Sequence, residues 1–442
     1  MRNYTFFLSK SSYSFRTNFC DQGVHMKSLF YTIYEDRFKF FLYFYFFVMP
    51  WNFFKAQMGV LTLILLLLWI EKFRKNIFIN LKKIVEFKPL IILFAFILYT
   101  YVASLWSDSI KEALEHLNQF HKYYFLLIPI LFTSLSETEA KNSIKVLIVS
   151  FASYSFFSLL IYLNVFSVEG SNYTNPKGIL AYAIATQYMA IGALSAFFFG
   201  IFSQSKQSKI FFLTLSLICF LALVVNNSRT SQLAFLLSSI TLLLFFYKAS
   251  LFRVKALLFS ISSLLIVFAF SFYLIKDMTL KRYTQAYDQF QIALENDVYE
   301  GAFGARLFFN KAAIEIFSDN FVFGTGPVDN YHLLRNMQTN HPHFNHHITS
   351  SFHSQHFEIL TGYGLVGYSL FAASILSLLY YLRHERLYFF VGLSIFTTFF
   401  FISFANYTIL KKPVTYIFIS FFILLAVVAY RQYTQKGHND LT

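Results

Sequence analysis

Charge is what this sequence has least of. Asp, Glu, Lys and Arg supply 13% of its 442 residues, about half the share of a soluble domain. With apolar runs of roughly 20 residues recurring along the chain, that deficit excludes an ordinary soluble fold. Cysteine is nearly missing too. Cys20 and Cys219 lie far apart, and Cys219 sits inside an apolar run. No structural disulfide and no cysteine-based metal site is therefore expected. The first ~35 residues lack the compact apolar core and small-residue cleavage site of a signal peptide, and read as a cytosolic extension. No internal repeat of 20–50 residues is visible.

What the chain has is apolar and aromatic surface: 57% hydrophobic residues, 21% aromatic, 61 of them Phe. This composition defines an all-α polytopic membrane protein. The net charge of +14 lies largely in short loops between apolar runs, where it sets topology. It is therefore not read as a nucleic-acid surface.

The runs predict about twelve transmembrane helices, near 38–51, 56–71, 89–106, 122–135, 146–166, 178–202, 210–226, 231–247, 254–275, 357–382, 387–408 and 413–430. Lys72, Arg74, Lys75, Lys82, Lys83 and Lys88 crowd the loop after the second run. Lys206 and Lys209, then Lys248, Arg253 and Lys255, then Arg383 and Arg386, fall on the same side. A Lys/Arg excess marks the cytosolic face, with Lys411 and Lys412 as exceptions. The expected organisation is a cytosolic extension at 1–37, helices one to nine at 38–275, a long outer loop at 276–356, helices ten to twelve at 357–430 and a cytosolic tail at 431–442. A loop of that length inside a compact protein is usually functional. Within it, 311–317 (KAAIEIF) reads as a short amphipathic helix and 323–330 (FGTGPVDN) as a Gly/Pro turn.

Three places on the outer side carry chemistry. Arg229, in NNSRTSQ, offers a permanently charged planar fork for phosphate oxygens; its plainer reading is a snorkelling arginine at the membrane edge. Arg306, in GAFGARLFF, is a second such fork or a solvated loop arginine. Residues 341–357 hold six of the twelve histidines: His341, His343, His346, His347, His353 and His356. Imidazole is both a general base near neutral pH and the commonest metal ligand. The cluster is thus open to metal binding, to one catalytic histidine, or to mere loop composition; Glu358 is the one acid nearby. Gly362, Gly364 and Gly367 follow at a helix start, where small residues allow close packing.

At these residues a family resemblance enters. HSQHFEILTGYGLVG (353–367) is similar to the O-antigen ligase signature, a histidine followed by a G-x-x-G helix start. His353 takes the histidine's place and Gly364 and Gly367 the glycines, while Ser354 and Gly362 depart from the residues common there. SRT at 228–230, the stretch 304–330 with its Arg306 and G-x-G-P turn, and LWSDS at 105–109 resemble further family segments in the same order.

The resemblance implies a GT-C-like membrane glycosyltransferase that moves a glycan from undecaprenyl diphosphate to a sugar hydroxyl of lipid A–core. The reaction would be inverting and metal-independent, without cofactor or nucleic-acid partner, at the periplasmic face of the bacterial inner membrane. Arg229 and Arg306 would hold the diphosphate and His353 would take the acceptor's proton. O-antigen polymerases and protein O-oligosaccharyltransferases share the superfamily. A lipid-linked glycan transporter is the more distant alternative, disfavoured by the near absence of mid-helix charge and of repeated halves.

Overall fold

The structure, a computed structural model, describes residues 36–54, 56–248, 276–406 and 412–439, with scattered positions between 254 and 273. Among the described residues the helices are, in order, α1 (Arg37–Val48), α2 (Gln57–Phe73), α3 (Ile77–Lys82), α4 (Lys88–Ala103), α5 (Ile110–Ser134), α6 (Glu137–Tyr162), α7 (Tyr182–Phe202), α8 (Lys206–Val225), α9 (Arg229–Lys248), α10 (Lys276–Asn296), α11 (Gly301–Asp319), α12 (Asp329–Asn340), α13 (Gln355–Leu382), α14 (Arg386–Ile402) and α15 (Lys412–Asn439). Two short strands, β1 (Tyr299–Glu300) and β2 (Phe344–Asn345), pair in parallel.

Seven of these helices are long and apolar enough to cross a membrane: α4, α6, α7, α8, α9, α13 and the apolar part of α15. The chain is an all-α polytopic membrane protein. Eleven of the twelve expected runs fall on helices. The ninth, near 254–275, lies largely outside the described residues, as do 1–35 of the N-terminal extension and 440–442 of the tail.

Where helix starts differ from the apolar runs, capping explains it. α5 begins at Ile110, a dozen residues before its expected start, because the Ser109 side chain accepts from the Glu112 N–H. Its first three turns carry Lys111, Glu112, Glu115 and His116, which hide them from a hydropathy reading. α6 begins at Glu137, closed by a reciprocal capping box between Ser136 and Glu139. The bundle is layered around α15 and α7, whose apolar windows are 94% and 89% buried, whereas that of α13 is 22% buried and turns outward. With lipid as apolar as the side chains, association rests on van der Waals packing. Rings do much of it, such as Phe246 against Phe390 at 4.2 Å between centroids.

The segment expected as an outer loop is mostly helical, well beyond the one short helix expected within it. α10, α11 and α12 form a small helical layer against α13. The amphipathic stretch 311–317 is only part of the C-terminal half of the 19-residue α11. Gly301, at φ +65°, lets the chain turn from β1 into that helix. From there Ala305, Phe308, Phe309, Ala312, Ala313 and Ile316 recur at helical spacing and form a second apolar core with Tyr299, Leu334 and Phe352.

Candidate active site

The glycine motif is not a plain helix start. α13 begins at Gln355, where the Ser354 side chain caps the Phe357 N–H, and Gly364 interrupts it with φ 63° and ψ −166°. The break frees backbone groups, and residues 321–326 take them up. Thr325 and Gly326 donate to the carbonyls of Thr361 and Gly362 at 2.9 and 3.0 Å, while Leu365 and Val366 donate to those of Phe321 and Val322 at 2.9 and 3.1 Å. The two backbones approach so closely that a Cβ on Gly364 would lie 2.3 Å from the Val322 carbonyl oxygen, and one on Gly324 2.4 Å from the Tyr363 nitrogen. Gly367 packs on Tyr99 of α4, whose hydroxyl donates to the Phe323 and Tyr363 carbonyls. The turn also rests on LWSDS: Gly326 sits over the Ser107 hydroxyl, and Asp108 N–H donates to the Asp329 carboxylate at 3.0 Å. Segments separated by more than 200 residues in sequence thus form one clip around the break in α13.

His353 lies just before the Ser354 cap of α13, eleven residues ahead of Gly364. Its backbone is left-handed, φ +52°, a conformation that residues with side chains adopt rarely and usually where the surroundings impose it. Its N–H donates to Ser351 Oγ at 3.0 Å. Immediately after it, Ser354 Oγ and Gln355 N–H both donate to the Ser403 carbonyl at the end of α14. Its imidazole stacks on Phe309 of α11, 5.6 Å between centroids and 21° from parallel.

That stacking links the histidine to the arginines. Arg306 lies three residues before Phe309, on the same face of α11, so helix geometry brings it to His353's neighbourhood. Arg306 is half-buried, on a helix and not in a solvated loop. Burial, and then the nearby Arg229 guanidinium, hold its own guanidinium below the usual arginine range. It remains charged at neutral pH. Among the described residues Arg306 forms no ion pair. Arg229 opens α9, just after Asn227 in its own left-handed turn at φ +50°. The turn is built from buried polar groups: Asn226 donates to Ser158 Oγ at 2.8 Å, Tyr182 to the Asn226 carbonyl at 2.7 Å, and Thr186 bridges Ser228 and Ser231. Two like charges brought together beside a helix N-terminus make a place for an anion.

The other five histidines sort themselves by partner. His356 is a structural link: its Nε2 donates to the Phe400 carbonyl at 2.9 Å, leaving Nδ1 to accept from the Tyr368 hydroxyl at 3.0 Å. His341 bonds Asp297 at 3.1 Å, whose carboxylate also takes Lys311 and the Tyr299 hydroxyl. Hydrogen bonds from Tyr299 and Lys311 hold Asp297 below the ordinary carboxylate range. That anchor is therefore present at neutral pH and is lost only as pH falls through the lowered value. His343, His346 and His347 are exposed. Among the described residues no three His, Cys, Asp or Glu side chains converge as a metal site.

Sequence reading placed the two arginines, His353 and the glycines on one side, but missed Phe309, Ser351 and Tyr99. The spacing of Phe309 from Arg306 was the available signal; nothing local announced Tyr99. A groove of about 690 Å³ runs along Trp106, Ser318 and Phe321–Gly324. It lies at the far end of α11, about 20 Å along the helix axis from Arg306, and so is not part of this centre.

An all-α polytopic membrane protein with a helical layer packed on α13, in which Arg306 of that layer lies near Arg229 and a histidine stacks on its Phe309, is the class this architecture defines. Residues 214–372 match the family model described as O-antigen ligase, a span that includes Arg229, Arg306, His353, Gly364 and Gly367. The match covers about a third of the chain and supports the O-antigen ligase/polymerase superfamily, a family of glycosyltransferase-like enzymes acting on lipid-linked glycans. No curated protein matches the chain.

Proposed function

We propose that this protein is an O-antigen ligase. In this reading it transfers a glycan from undecaprenyl diphosphate to a sugar hydroxyl of lipid A–core, at the periplasmic face of the bacterial inner membrane. The observation that carries the reading is the pairing of Arg306 with Arg229, with no acid among the described residues to neutralise Arg306. A diphosphate leaving group gains negative charge as its glycosidic bond breaks, and preorganised guanidinium groups lower the barrier most where charge develops. His353 takes the proton from the attacking hydroxyl as oxygen displaces diphosphate from the opposite face of the anomeric carbon, which inverts its configuration. The two arginines supply the charge stabilisation that a divalent cation provides elsewhere, so no metal enters the scheme. Residues 276–356 form the periplasmic catalytic layer.

The test is reconstitution of the purified full chain in liposomes with undecaprenyl diphosphate-linked glycan and lipid A–core. Wild-type protein is expected to form ligated product undiminished by prolonged chelation, and His353→Ala to lose at least about 10²-fold in rate. Full activity of a folded His353→Ala sinks the base assignment. In cells lacking the gene, lipid-linked polymer beside unsubstituted core supports ligation, whereas core capped with a single repeat indicates a polymerase.

A further inference from the structure

We propose that Glu358 is a positioning residue for His353, acting through Ser351; this rests on the reading of His353 as the proton acceptor. Glu358 lies in the first turn of α13 and is 2% exposed. One of its oxygens, Oε1, accepts from Ser351 Oγ and from the Phe352 N–H, both at 2.9 Å. Ser351 Oγ in turn accepts from the His353 N–H at 3.0 Å. The Tyr331 hydroxyl of α12 faces the same carboxyl. A single buried oxygen therefore ties the three consecutive residues that lead into the left-handed turn at His353.

The arrangement has a physical purpose. An αL backbone at a residue with a side chain costs about 1–3 kcal/mol and persists only where neighbours over-determine it. Ser354 and Gln355 fix the chain after His353 through the Ser403 carbonyl, and Phe309 fixes the ring. Glu358 fixes the chain before it. Without that acceptor the Phe352 N–H would be left buried and unpaired, and the turn would relax toward an ordinary backbone conformation. The imidazole would then swing away from the face that carries Arg306. A displacement of about 1 Å is enough to cost on the order of 10²-fold in rate. The same carboxyl is the one acid close to the histidine cluster in sequence, and its bonds go to a serine and a backbone amide.

The test uses the full chain in liposomes and separates kcat from KM for the undecaprenyl diphosphate-linked donor, per folded molecule as scored by thermal unfolding. Glu358→Gln keeps an oxygen that accepts both bonds and is expected within about threefold of wild type. Glu358→Leu has similar bulk and no acceptor; kcat should fall about 10²-fold with donor KM unchanged. Ser351→Ala cuts the link to His353 but spares the Phe352 bond, and should lower kcat about tenfold. Wild-type kcat in Glu358→Leu overturns the proposal, as does a Glu358→Gln as impaired as Glu358→Leu, which would make charge and not acceptor geometry the requirement. If Glu358→Leu does not fold, wild-type kcat in Ser351→Ala overturns it instead. An inactive His353→Ala beside a fully active Glu358→Leu removes the positioning role alone, whereas an active His353→Ala removes the base reading and this proposal with it.

Discussion

At the residue scale the histidines show how little a residue type says by itself. In sequence, six imidazoles within sixteen residues are equivalent; in the fold one bonds a helix-end carbonyl, one an aspartate, three face outward and one stacks on Phe309. His356 satisfies the Phe400 carbonyl, one of the last carbonyls of α14 that no helical N–H can reach. His356→Ala should therefore cost about 2–4 kcal/mol in thermal unfolding in micelles while ligation persists, the reverse of what His353→Ala does. The arginines make a different prediction. Arg229→Lys and Arg306→Lys keep the charge but lose the planar fork, and each should lower the transfer rate roughly tenfold or more. Wild-type rates with lysine at both would exclude bidentate phosphate binding.

At the element scale the informative feature is the break in α13. A helix that crosses a membrane normally satisfies its own backbone, and an interruption is tolerated where other backbone replaces the lost bonds. Residues 321–326 do so here, and the geometry leaves no volume for side chains at the crossing. Gly364→Ala should destabilise the protein by at least about 3 kcal/mol, since it adds both a strained φ and a clash with the Val322 carbonyl. Gly59→Ala is the control, because a Cβ there meets nothing within 4 Å and alanine suits a helix better. Equal melting temperatures for the two variants would show that the clip is not tight. The sequence carried the punctuation of this element but not its meaning: glycines at 324, 326, 362 and 364 were visible, whereas their docking against each other needs both backbones in space.

At the scale of the molecule the expected sidedness becomes an experiment. With Cys20 and Cys219 replaced by Ser, a cysteine at exposed His346 should react with a membrane-impermeant maleimide added to intact spheroplasts. One at exposed Lys75 should react only after permeabilisation. Labelling of both, or the reverse pattern, would invert the topology and with it the periplasmic placement of the centre. Much of the whole was legible beforehand. The order of the apolar helices came from local composition, because membrane insertion is decided locally, run by run, and the expected placing of Arg229, Arg306 and His353 on one side rests on the same local charge pattern.

The sequence by itself determined that this is an all-α polytopic membrane protein and where eleven of its apolar helices lie. Hydropathy, charge and capping act within a turn or two of each residue, and so can be read in one dimension. Only the tertiary structure decided that 276–356 is mostly a helical layer, that Arg306 sits on a helix face with Phe309 and beside Arg229, and that Glu358 and Ser351 brace His353. Those facts depend on contacts between segments tens to hundreds of residues apart, and such contacts are fixed by how side chains pack, which no local pattern records.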